Sequence, residues 1–339
     1  MTSKDSPVLY IAEISANHLG SLNRAHELVE AAASAGANAV KFQTYTPDTM
    51  TLNIPEFSVI EGHELWSGRN LYSLYAEAMT PWEWHPELFA HCRELGVVPF
   101  SSPFDATAVA LLESLDSQMY KIASLETSDH ALIKLVAETG KPVIISTGAT
   151  ELEEIDDLVE VFRETGNQNL TLLVCTSSYP SRPEDAHLNR IKFLRDRYRV
   201  KVGLSDHSLG IGVSVAAIAL GAEVIEKHIT LKRLDGGADG EFSMEPDEFK
   251  QLVSAGNTAK ASLGNSDWSM QDSEKESRRL RRSLYIVENV SEGDRVTEKN
   301  VRAIRPGAGL SPKHLSEIIG KHFVASFERG TPLQSDHLK

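Results

Sequence analysis

The sequence predicts an α/β chain that closes eight strand and helix units into a TIM-type (β/α)8 barrel and carries a small mixed domain behind it. Three observations lead there. Short β-branched runs alternate with longer segments of helical apolar spacing, the alternation repeats eight times, and it stops at a charged, serine-bearing stretch near residue 265. Eight such parallel units close most economically as a barrel. At 339 residues the chain is long enough for one domain of that size, residues 1–264, and a second small one.

The strands read at 8–14 (VLYIAEI), 38–44 (NAVKFQT), 97–103 (VVPFSSP) and 119–124 (MYKIAS) in the first half of the barrel. The second half supplies 142–148 (PVIISTG), 170–178 (LTLLVCTSS), 201–207 (KVGLSDH) and 223–229 (EVIEKHI). Every strand but the second leads soon into a helical pattern such as ATAVALLESL or EEIDDLVEVF. After the second comes a long insertion from Tyr45 to Thr80, and only then the helical PWEWHPELFAHCRELG. Residues 265–282 read as a charged linker, and 283–339 as a domain of short strands, an E-G-D turn and an R-P-G-x-G turn.

Composition narrows the class. An apolar fraction of 41% and a charged fraction of 24% are ordinary for a globular chain, which excludes disordered and fibrous classes. A net charge of −14 argues against a nucleic-acid surface. No apolar run is long enough for a membrane span and no signal-type apolar core opens the sequence, so the expected setting is the cytoplasm with no membrane partner. Cys92 and Cys175 have no metal-type spacing and read as reduced, buried thiols.

In a barrel the reactive groups gather at the C-terminal strand ends. Reading those ends in order gives Glu13, Asn17, His18, Lys41, Gln43, Ser101 and Ser102, then Lys121, Ser124, Glu126, Ser146, Thr147, Thr176, Ser177 and Tyr179. The last two strands add Ser205, Asp206, His207, Glu226, Lys227 and His228. Lys41 and Lys121 with the hydroxyls of Ser102, Ser124, Ser146 and Ser205 suit a phosphorylated carboxylic acid, because they offer positive charge and directional donors together. His207 and His228 end neighbouring strands, so both reach one point near the barrel axis. Two imidazoles, a water and a substrate oxygen make a site for a divalent Mn, Mg or Co ion.

The runs IAEISANHLGS, VKFQ, FSSPFD, YKIASLE, KPVIISTG, CTSSYP, GLSDHS, EKHITL and FSMEP resemble, in order and spacing, the sialic acid (nonulosonic acid) synthase family. The C-terminal RPGAG region is similar to antifreeze-like (SAF) domains. The stretches FQTYTPDTMTLN, LWSGRNLYSLYAEAMTPWEWH and RLDGGADGEFSMEP look like the pseudaminic acid synthases of that family, and Ser177 stands where N-acetylneuraminate synthases carry Asn. The resemblance implies a metal-dependent enzyme that condenses phosphoenolpyruvate (PEP) with 2,4-diacetamido-2,4,6-trideoxy-L-altrose and water, releasing phosphate and a nine-carbon sugar acid. It implies that Lys41, Ser102, Lys121, Ser124, Ser146, Ser177 and Ser205 hold PEP, and that His207 and His228 hold the metal. Glu13 or Glu126 positions the water, while Gln43, Tyr179, Asp239 and Arg305 contact the sugar. The insertion is expected to bring Tyr45, Trp66, Arg69 and Trp82 to the same sugar.

Other readings stand beside this one. The family also holds N-acetylneuraminate and legionaminic acid synthases. A Schiff-base aldolase would use Lys121 or Lys227, and a non-enzymatic sugar-binding or ice-binding protein would account for the antifreeze-like tail. The small C-terminal domain buries little core alone and follows a long linker, so a domain-swapped homodimer is expected, with Arg305 reaching the partner's sugar site.

Overall fold

The computed structural model describes residues 7–57 and 69–339. Contacts divide the chain into two compact units between Gly264 and Asn265.

The first unit is a closed barrel of eight parallel strands in sequence order. They are β1 (Leu9–Glu13), β2 (Ala39–Thr44), β3 (Val98–Pro103), β4 (Tyr120–Ile122), β5 (Val143–Ser146), β6 (Leu170–Cys175), β7 (Lys201–Ser205) and β8 (Val224–His228). All eight expected strands are present. β6 is shorter than the apolar run that announces it, because its ladder with β7 closes at the Cys175 and Ser205 pair, leaving 176–178 in the following loop. The helices of this unit are α1 (Leu22–Ser34), α2 (Pro47–Met50), α3 (Leu71–Ala78), α4 (His85–Glu94), α5 (Ala106–Ser114), α6 (His130–Glu138), α7 (Leu152–Glu164), α8 (Asn189–Tyr198), α9 (Gly212–Ala219) and α10 (Pro246–Ser262). α2 and α3 belong to the insertion after β2. Serine, aspartate or asparagine side chains cap several helix starts: Ser21 accepts from the N–H of Arg24, Asp105 from Ala108 and Asp129 from Leu132.

Strand alternation sorts the core into two layers. Outward residues such as Tyr10, Val40, Phe42, Ile122, Ile145, Leu172 and Leu204 pack with the helices in one large buried cluster. Inward residues Ile11, Ala39, Phe100, Ile144, Leu173 and Val224 form a separate apolar plug. Gly203 belongs beside that plug: a Cβ there would stand 2.3 Å from the Val224 carbonyl oxygen and 2.8 Å from Leu173 Cδ2. The barrel is filled at this level, not hollow.

The second unit pairs β9 (Ser283–Ile286) with β10 (Val301–Ile304) in antiparallel register around Leu284, Ile286, Val296, Val301, Phe323 and Leu333. The sequence reads 265–282 as linker; within it the short helix α11 (Lys275–Arg279) forms, and the Gly307 N–H donates to the Arg279 carbonyl at 2.9 Å. The helix α12 (Leu315–Ile318) completes the unit. Among the described residues no helix is long and apolar enough to cross a membrane.

Candidate active site

One periodicity builds the site. Two positions beyond each plug residue the next inward side chain is polar or reactive: Ile11 leads to Glu13, Ala39 to Lys41, Phe100 to Ser102, Ile144 to Ser146, Leu173 to Cys175 and Val224 to Glu226. Above the plug this opens a cavity of about 460 Å³ at the C-terminal end of the barrel.

Its floor is a buried array of two ammoniums and two carboxylates. Lys41 Nζ pairs with Glu13, stands 3.6 Å from Glu226 Oε2 and donates to Ser102 Oγ at 3.5 Å. Lys121 Nζ donates to Ser146 Oγ at 2.6 Å and to the Ile122 carbonyl at 3.1 Å, with Glu226 Oε1 3.8 Å away. Ser205 Oγ donates to that same carboxylate oxygen at 3.0 Å. Burial alone would raise Glu226, but Lys121 and Lys41 hold it below the usual carboxylate range. The two lysines then diverge. Burial depresses Lys41, yet Glu13 and Glu226 outweigh that and keep it a cation; at Lys121 burial prevails and the pKa falls. Glu13 accepts from the Ser15 N–H at 2.8 Å, and burial pushes it up to about 7 against the pull of Lys41.

Beside the floor, Ser124 Oγ accepts from the Gly148 N–H at 3.0 Å. A Cβ at Gly148 would lie 2.3 Å from Ser177 Oγ, 2.9 Å from Ser124 Oγ and 3.1 Å from Cys175 Sγ, so the convergence of these three side chains requires glycine.

The imidazoles meet, with ring centroids of His207 and His228 5.3 Å apart. Tyr179 packs 4.4 Å from the His207 ring, and Phe242 stands edge-on to His207 at 6.0 Å and to His228 at 4.9 Å. His207 Nδ1 donates to the Thr176 carbonyl at 3.1 Å and lies 4.0 Å from Cys175 Sγ; burial alone would lower the ring's pKa, but Cys175 outweighs it and the pKa rises. His228 Nδ1 is buried without a hydrogen-bond partner; Asp239 Oδ2 is 3.8 Å away, and burial pushes the ring's pKa well down, so it is neutral. A neutral ring with an orphaned nitrogen facing another imidazole fits a divalent cation. Among the described residues no three His, Cys, Asp or Glu side chains converge as ligands, so such an ion would rest on two imidazoles and keep positions open for water and substrate.

Of the residues expected at the site, Lys41, Gln43, Lys121, Ser124, Ser146, Ser177, Tyr179, Ser205, His207, His228 and Asp239 all line this cavity. Glu13 and Ser102 lie just beneath, in contact with Lys41. Glu126 does not line it; its Oε2 is buried without a hydrogen-bond partner, and burial raises its pKa. Arg305 belongs to the second unit. Lys227 is corrected. Alternation turns it out of the barrel, where Nζ donates to Asp206 Oδ2 at 3.0 Å and to the carbonyls of Ser208 and Gly210 at 2.6 and 3.1 Å. Turned away from the cavity and held as an ammonium by these three acceptors, it is not placed to present a lone pair for imine chemistry there.

The insertion also differs from expectation. Tyr45 lines the cavity, but Trp82 Nε1 donates to the Tyr45 carbonyl at 3.0 Å and Arg69 pairs with Glu77 on the surface, so both act as supports. Trp66 lies outside the described residues. Leu71, Leu74, Tyr75 and Ala78 of α3 form the wall instead, and their i, i+3, i+4, i+7 spacing was a readable helical face. Cys175 and Ser15 were also missed. The alternation that places Glu226 would have placed Cys175, whereas Ser15 lines the cavity through a left-handed backbone, φ 45°, that no local pattern announces.

The NeuB family model matches residues 28–267, which takes in every strand of the barrel but the first. The chain belongs to the NeuB family. An SAF domain model matches residues 281–339. This NeuB-family chain is 42% identical to a pseudaminic acid synthase of Campylobacter jejuni, across 99% of this chain and 98% of that one. A pseudaminic acid synthase of Helicobacter pylori is also 42% identical, across 98% of each chain. Among solved structures, the N-acetylneuraminic acid (sialic acid) synthetase of Leptospira borgpetersenii serovar Hardjo-bovis in complex with citrate matches with a TM-score of 0.72 at 33% identity, over 80% of this chain and 90% of that one.

Proposed function

We propose that this NeuB-family chain is a pseudaminic acid synthase: it condenses PEP with 2,4-diacetamido-2,4,6-trideoxy-L-altrose and water. The observation that carries the reading is the juxtaposition, in one cavity, of two buried ammoniums ringed by hydroxyls with two facing imidazoles. Lys41 and Lys121, with Ser124, Ser146, Ser177 and Ser205, hold the carboxylate and phosphate of PEP. A divalent Mn, Mg or Co ion, when bound by His207 and His228, supplies Lewis acidity to the sugar aldehyde. Tyr179, Gln43 and Asp239 orient the sugar so that C3 of PEP forms a bond to the aldehyde carbon. Water adds at C2, the C2–O bond to phosphate breaks as the C2 carbonyl forms, and the two protons of the water end one on the aldehyde oxygen and one on the departing phosphate. Glu13 is poised for that exchange: burial raises its pKa to about 7 against the pull of Lys41, which it touches at the floor. Glu126, the other carboxyl expected to serve the water, does not line the cavity, and the role falls to Glu13. Two buried, free cysteines fit a cytoplasmic setting.

A homodimer is part of the proposal, with the SAF unit of one copy covering the barrel mouth of the other and Arg305 completing its sugar site. Loops at the mouth leave Leu125, Leu209 and Leu234 exposed by 74%, 60% and 99%, an apolar rim that favours a cover. Mixing Arg305→Ala with His207→Ala under subunit exchange should recover activity; a mixture that stays inactive overturns the swap.

The function is tested by phosphate release from PEP with Mn²⁺ and either the diacetamido sugar or N-acetylmannosamine, with the product weighed by mass spectrometry. A higher kcat/KM on the diacetamido sugar is expected, along with loss of turnover in EDTA. Equal values would favour a broader or N-acetylneuraminate synthase, and no phosphate from either would overturn the synthase reading. The lowered pKa of Lys121 gives a Schiff-base aldolase one supporting observation. Turnover that survives EDTA, with borohydride trapping substrate on Lys121, would establish that mechanism instead.

A further inference from the structure

We propose that α3 is the wall that selects a methyl group at the end of the sugar remote from its aldehyde. The inference rests on the synthase reading above and names the part of the site that reads the substrate's far end.

The cavity is chemically divided. Every ammonium and imidazole in it comes from the strand ends and immediate loops of the barrel, and the aldehyde must sit there to meet PEP. The α3 wall offers Leu71, Leu74, Tyr75 and Ala78, one continuous helical face, with Leu125 from the loop after β4. The opposite face of the helix carries the exposed Ser73, Ala76 and Glu77. For a sugar whose reactive carbon is fixed at the imidazoles, the side chains of Leu71, Leu74, Ala78 and Leu125 are the apolar surface offered to its last carbon, with the Tyr75 ring among them.

α3 is also held in place, as a selective wall must be. Asn70 caps it by accepting from the Ser73 N–H at 3.2 Å, the Leu71 N–H donates to the Phe57 carbonyl at 3.0 Å, and Tyr72 Oη donates to Asp48 Oδ1 at 3.2 Å. The Tyr75 ring stands edge-on to Tyr45 at 5.8 Å, and Tyr45 in turn to Phe104 at 5.3 Å. An apolar wall accepts a methyl and rejects a hydroxymethyl, because the extra hydroxyl would lose water without gaining a partner.

The test compares two sugars that differ only at C6: the 6-deoxy diacetamido sugar and its 6-hydroxy counterpart. Kinetics are measured by phosphate release for the wild type, Leu71→Asn, Leu74→Asn and Leu74→Met. The wild type should favour the deoxy sugar by about 10-fold to 200-fold, the range one such group commands in an apolar pocket. Either Asn variant should narrow that ratio to below about threefold while KM for PEP stays unchanged, and Leu74→Met should keep the wild-type ratio. Equal losses on both sugars, or a ratio that does not move in folded Leu71→Asn, would overturn the role of α3. A wild type that releases no phosphate with either sugar would instead overturn the synthase reading, and this inference with it.

Discussion

Lys121 and Lys227 are the same residue at the same depth, each on a barrel strand and 2% and 1% exposed, yet they do opposite work. Lys227 points out between β8 and the loop after β7, where an aspartate and two carbonyls take all three of its hydrogens. Lys121 points in, where it holds a serine hydroxyl and a carbonyl, and its nearest carboxylate oxygen is 3.8 Å off. A buried charge whose partners are complete is structure. One whose partners are incomplete, at the edge of a cavity, is waiting for a ligand.

Four experiments break or sharpen that contrast. The largest effect is expected at the imidazoles: His207→Ala and His228→Ala should each lower turnover by about a thousandfold or more, with the thermal midpoint nearly unchanged, since both face the cavity and not the core. Activity near wild type in either variant would remove the proposed metal ligands. Next, Lys227→Met should cost about 3–5 kcal/mol in urea unfolding by stranding the Asp206 charge, and adding Asp206→Asn should recover part of it. Lys121→Met should do the reverse, reducing turnover about a hundredfold while shifting stability by less than about 1 kcal/mol, because Lys41 still faces Glu226. If it unfolds the protein as readily as Lys227→Met, the contrast between the two lysines fails. The smallest effect is expected at Gly148→Ala, whose Cβ crowds Ser124 and Ser177: KM for PEP should rise about tenfold with kcat changed little. An unchanged KM would show that those hydroxyls do not hold PEP.

Much of this was legible in sequence, for a definite reason. Parallel strands buried on both faces read as apolar runs, so all eight were visible, and the polar residues that end those runs marked the mouth. Alternation decides which of those polar residues enter the cavity. Applied strictly from the plug residues, it separates Glu226 and His228 from Lys227, and admits Cys175. The insertion was harder. Its aromatic and basic residues attract notice as sugar contacts, but Trp82 and Arg69 spend their donors on the protein itself, while the plain helical face of α3 lines the site. Arg305 shows another limit: it lies in the separate second unit, and the strand alternation that sorts the barrel's polar residues says nothing of a residue there.

The division of the cavity between strand ends and α3 separates two evolutionary risks. A change on the strand ends alters the reaction itself, and the closed barrel ties each of those positions to its neighbours by a ladder of register. A change on α3 touches one short helix hung from the loop after β2, outside the ladder. Descendants of such a chain are free to explore new sugars by redrafting that helix, while the machinery that makes the carbon–carbon bond is inherited whole.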